Sequence, residues 1–92
     1  MSTVDQSHRE LLNREIVIDV SSLYVYVGTL VGADQHYLSL ENADVHDLRD
    51  ATTTRELYVL ETKRLGVRSN RTRVQVAREE VVSISALDDV ID

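Results

Sequence analysis

Cysteine, proline, tryptophan and phenylalanine are all missing from this 92-residue chain. Without cysteine, disulfides and thiolate metal sites are excluded, and nothing points to an oxidising compartment. The only aromatic residues are the tyrosines 24, 26, 37 and 58, so the core must be built mostly from Val, Leu and Ile. A core of that kind in so short a chain is modest, and such chains often gain stability by oligomerising. No apolar run approaches the roughly 18–20 residues that span a bilayer, and MSTVDQSHRE lacks the form of a signal peptide. A cytoplasmic location, with no membrane partner, is therefore expected. Gly-x-Ser-x-Gly, phosphate-binding glycine loops and His-Glu-x-x-His are all absent, and the three histidines are scattered. No nucleophile–base pair has local support, so the chain is expected not to be an enzyme and to use no cofactor.

What is present suits one small domain over residues 1–92, with 42% apolar and 28% charged residues. The net charge of −6 opposes generic nucleic-acid binding, which needs cations for phosphate. The distribution alters that reading. From Lys63 to Arg78 there are six basic residues and no acidic one, whereas the remainder holds four basic and sixteen acidic residues. Such a segment suits a localised anion site or an acidic partner surface. It equally suits neutralisation by the acidic remainder or by neighbouring subunits.

Ser7-His8-Arg9-Glu10 has the form of a capping box and predicts a short helix over 7–14. EIVIDV (15–20) alternates with the period of a strand, Ser21-Ser22 is a turn, and LYVYVGTLVG (23–32) is a β run apolar on both faces. Gly28 within that run marks a bend. HYLSLENADV (36–45) is a third strand. Thr53-Thr54-Arg55-Glu56 is a second capping box, followed by helical spacing through Leu65 and by Gly66 as a C-terminal cap. TRVQVA (72–77), a short turn at 78–80, VVSIS (81–85) and an acidic tail complete the chain. The sum is a mostly β domain: a small five-stranded, strongly bent antiparallel SH3-like barrel. It carries an N-terminal helix and a helix inserted between strands 3 and 4, within segment 46–71.

IVIDVSSLYVYVGTLVGADQHYLSL resembles the first sequence motif of the Sm/LSm family, over about residues 16–45. Gly28-Thr29-Leu30 fits the family's Gly-x-Leu element, and Asp34-Gln35-His36 fits the start of its loop. Two departures stand out. Leu38 follows Tyr37 directly, where the family has the asparagine that hydrogen-bonds a uracil edge. In the second motif, Arg78 keeps the arginine, but Glu79 replaces the glycine that follows it. The resemblance implies a homo-oligomeric ring in which strand 4 of one subunit pairs with strand 5 of the next. It also implies single-stranded RNA as a partner, with relaxed or altered base preference.

On that pattern His36 or Tyr37 would supply a stacking platform, Arg78 the cation and Asp34 the organisation of the loop. Arg68, Asn70, Arg71 and Arg73 are candidates for contacting phosphate or an acidic protein partner. The rival reading is a ring scaffold or protein-interaction module that has lost the RNA site. In that case segment 46–71 docks a protein instead; the plain structural reading of the loop residues is that Tyr37 packs as core, His36 sits in an exposed turn, and Arg78 pairs with Glu79 or a neighbouring subunit. DVHDLRD (44–50) holds hard metal-ligand types without the glycine and spacing of a calcium loop, so a solvated turn and no metal site are expected.

Overall fold

Ile16, Ile18 and Val20 alternate with Glu15, Val17 and Asp19, and the strand they form separates two apolar layers. The structure, a computed structural model, describes residues 8–50 and 52–92. Five strands follow in chain order: β1 (Glu15–Val20), β2 (Tyr24–Ala33), β3 (Tyr37–Asp47), β4 (Arg71–Ala77) and β5 (Val81–Ala86). They form one antiparallel sheet in the order β4-β3-β2-β1-β5. The sheet curls around an inner core of Ile16, Ile18, Val20, Leu30, Leu38, Leu40, Ala43 and Val76. It does not close. Among the described residues β4 pairs only with β3, and β5 only with β1, so each keeps an outer edge that none of them pairs.

Two register shifts bend the β2–β3 pair. Val27 faces Asp44 and Thr29 faces Glu41, so β3 carries the extra residue there, and Asn42 takes a positive φ of 49°. Gly28 lies opposite that bulge. A Cβ on it would stand 2.8 Å from the Ala43 Cβ and 2.9 Å from the Ala43 Cα. The glycine is therefore required by close strand approach, and the residue that supplies the bulge belongs to the partner strand.

α1 (Arg55–Leu65) lies on the opposite face of the sheet. Val59 joins Val17, Val25, Val27 and Leu87 in a second, smaller core. Thr54 caps the helix, its side chain accepting from the Leu57 N–H at 3.3 Å. The cap is thus one residue later than the Thr53-x-x-Glu56 pattern predicts. Gly66, at φ 93°, ends the helix, and its N–H donates to the Thr62 carbonyl at 2.8 Å. Lys63 donates to the Val90 carbonyl, and Arg64 meets Asp92 at 3.4 Å, so the basic last turn holds the C-terminal segment.

The expected N-terminal helix over 7–14 is not supported. Ser7 and the residues before it lie outside the described residues. Beyond them, helical geometry covers only His8 and Arg9 before turns take over. The Leu11, Leu12 and Arg14 N–H groups bond three residues back, to His8, Arg9 and Leu11, and Asn13 at φ 65° breaks the run. β3 also runs on to Asp47, so residues 44–47 are strand and not the expected solvated turn. Among the described residues no helix is long and apolar enough to cross a membrane.

Candidate nucleic-acid interface

The β2–β3 turn owes its shape to one carboxylate. Asp34 Oδ1 accepts from the His36 N–H at 2.8 Å and from the Tyr37 N–H at 2.7 Å. The Asp34 N–H donates to the Tyr37 carbonyl at 2.9 Å, closing the turn. These backbone donors, first His36 and then Tyr37, hold the Asp34 carboxyl below the usual carboxylate range. One Asp34 oxygen thus holds two successive backbone N–H groups of the turn.

Arg78 ties this turn to the one between β4 and β5. Its N–H donates to the His36 carbonyl at 2.9 Å, and its guanidinium donates to the Asp34 carbonyl at 2.5 Å. A second guanidinium nitrogen lies 3.3 Å from His8 Nδ1. The register explains the meeting, since Tyr37 opposes Ala77 at the end of the β3–β4 ladder. An open cleft of about 300 Å³ results, lined by Gln35, His36, Tyr37, Ala77, Arg78 and Glu79. Tyr37 is 43% exposed, so it does not pack as core. The two neighbouring glutamates differ: Glu80 accepts from Ser21 Oγ at 2.6 Å, whereas Glu79 is among the residues that line the cleft.

Arg68, Asn70, Arg71 and Arg73 are not brought to this cleft. They lie at the far end of β4, where Arg71 opposes Ala43, some 20 Å along the strand from Ala77. The Asn70 side chain extends the sheet, with Oδ1 accepting from the Val45 N–H at 2.9 Å and Nδ2 donating to the Val45 carbonyl at 3.0 Å. Arg73 meets Glu41 at 3.3 Å, and Arg71 donates to the Asn70 carbonyl at 3.1 Å. Much of the basic run is engaged by local acids and carbonyls.

Residues 44–50 are likewise dispersed by the strand period. Asp44 and His46 share one face of β3, where Tyr58 Oη donates to Asp44 at 2.5 Å and stacks its ring on His46 at 3.9 Å. Burial first, and then Asp44, push the Tyr58 hydroxyl well above its ordinary range. Asp47 points the other way and takes the Arg49 guanidinium at 2.8 Å, which holds its carboxyl down to about 2. Arg49 in turn lies over the Tyr24 ring, 5.7 Å from its centroid. Sequence reasoning missed the Tyr58–His46 stack and the Arg78–Asp34 contact. Each joins residues far apart in the chain, and no local pattern signals either.

No family model matches the chain, and no curated protein matches its sequence. Solved structures match in shape. The Sm protein of Pyrococcus abyssii, solved in complex with a uridine heptamer, aligns with a TM-score of 0.60 at 18% identity, covering 94% of this chain and 99% of that one. The P. aerophilum SmAP1 heptamer aligns with a TM-score of 0.61 at 20% identity, covering 94% and 95%. This chain has the Sm fold. A chain of the NatC complex bound to CoA also aligns, with a TM-score of 0.55 at 16% identity, covering 85% and 80%. On this Sm fold the β2–β3 and β4–β5 turns meet at the cleft that holds His36, Tyr37 and Arg78. The helix α1 covers the outer face of the sheet, away from that cleft.

Proposed function

We propose that this chain is an atypical Sm-like protein that assembles into a homo-oligomeric ring and binds single-stranded RNA in the cleft between its β2–β3 and β4–β5 turns. The observation that carries the reading is the convergence of His36, Tyr37 and Arg78, from turns some forty residues apart, around one open cleft. Aromatic faces and a guanidinium suit unstacked bases, and each base stacked on an aromatic ring is worth roughly 1–3 kcal/mol. The unpaired outer edges of β4 and β5 suit ring closure, which would pair one subunit's β4 with the next subunit's β5. The likeness to an Sm protein solved with a uridine heptamer supports the ligand class. Arg68, Arg71 and Arg73 would add a distant electrostatic contribution, toward phosphate or an acidic partner.

The test is a titration of labelled single-stranded RNA at two salt concentrations. Binding is expected to weaken as salt rises and to fall about tenfold on Arg78→Ala. No binding at low salt would refute the RNA reading. The alternative is a ring scaffold or protein-interaction module. The match to a chain of the NatC complex and the Glu79 carboxylate beside Arg78 favour it, and it predicts no RNA affinity for the assembled protein.

A further inference from the structure

Within the cleft just described, the hydrogen-bonding inventory is uneven. The Arg78 guanidinium donates to the Asp34 carbonyl and approaches His8, and so it braces the two turns against each other. Glu80, next to Glu79, is engaged by the Ser21 hydroxyl. Glu79 is exposed and lines the cleft, and its carboxylate has no hydrogen-bond or ion-pair partner among the described residues. The same turn region offers His36 and the 43%-exposed Tyr37 as ring faces. A base stacked there would meet an acceptor-only group at its edge.

A carboxylate accepts hydrogen bonds and offers none. Single-stranded bases are read on their Watson–Crick edges. Guanine presents two adjacent donors there, the N1–H and the N2 amino group, which match the two carboxylate oxygens. Adenine and cytosine present one amino donor each. Uracil presents a single N3–H between two carbonyl oxygens, which a carboxylate repels. We infer that Glu79 makes this cleft selective for bases with amino donors, guanine foremost, and against uracil. The inference rests on the RNA-binding reading above and specifies the base class that the site takes.

The experiment measures the full-length protein by fluorescence anisotropy against equal-length labelled RNAs: oligo-U, oligo-C, oligo-A, and a uracil strand carrying isolated guanines. The wild type is expected to bind the guanine-bearing strand roughly tenfold tighter than oligo-U, within the lower part of the range for a bidentate base contact. Glu79→Gln exchanges one acceptor for a donor, so it should raise oligo-U affinity and collapse that ratio. Glu80→Gln should leave the ratio unchanged. Oligo-U bound as tightly as the guanine-bearing strand would overturn the inference while RNA binding stands. So would a Glu79→Gln variant that tightens every RNA equally, because Glu79 would then act only as a repeller of phosphate. Absence of binding to all four RNAs would instead sink the RNA-binding reading, and this inference with it.

Discussion

Asp34 organises a turn with a single oxygen, and Gly28 permits a bend by having no side chain at all. Both effects are measurable. A Gly28→Ala Cβ meets the Ala43 backbone and Cβ below 3.0 Å, and backbone cannot swing aside as a long side chain can. The expected cost is about 1–3 kcal/mol, read as a fall in Tm of several degrees or more for a domain of this size. Asp34 and Asp47 have folded-state pKa values below their unfolded ones, so each favours folding in its ionised form. That contribution is complete above about pH 4, the unfolded range for Asp. It is lost as pH falls through the folded value, which for Asp47 is about 2. Urea denaturation from pH 7 to pH 2 should therefore show a stability decline at the acid end that is shallower in Asp47→Asn.

Among elements, α1 is the one most separable from the cleft. It attaches to the outer face of the sheet through Val59 against β1 and β2, through the Tyr58–Asp44 hydrogen bond to β3 and through the Arg55–Asp19 pair to β1 at 3.1 Å. Val59→Ala removes two methyl groups from the second core and should lower stability by about 2 kcal/mol in denaturant titration. RNA affinity of the folded fraction should be unchanged, because the cleft is built from the β2–β3 and β4–β5 turns and Val59 packs in the second core. A parallel loss of affinity would show that the helix supports the cleft across the sheet. The N-terminal segment behaves differently. In its described part helical geometry gives way to turns after Arg9, but Leu11 still packs against the inner core and the Asn13 N–H donates to the Leu30 carbonyl at 2.7 Å.

For the whole molecule, the open sheet decides what the chain must do. β5 ends the sheet with Val82 70% exposed and with no proline to blunt its edge. If a neighbouring β4 covers that edge, analytical ultracentrifugation at micromolar concentration will show a multiple of the 10.4 kDa chain mass. Val82→Asp should shift the protein toward monomer without changing its circular dichroism, because the side chain does not contribute to either core. A monomeric wild type would refute the ring. Repetition of the cleft around a ring would also convert a weak site into a multivalent one.

Much of this fold is legible in the chain itself. The alternation in EIVIDV and TRVQVA, the glycine after Leu65 and the Gly28-x-Leu30 and Asp34 positions all translate directly into strands, a helix end and a turn. Those features depend on local periodicity and backbone propensity, which are carried by neighbouring residues. Local patterning also misled. The Ser7-x-x-Glu10 box predicts a helix over 7–14 that the described residues do not support, and the second box puts the cap one residue early, because capping motifs state a preference that packing can shift. Tertiary structure alone decided which cations face the cleft. It drew Arg78 to Asp34 across 44 positions, took Asn70 into the sheet, and left Glu79 open while engaging Glu80. Those outcomes follow from strand register and the curl of the sheet, which no stretch of sequence encodes by itself.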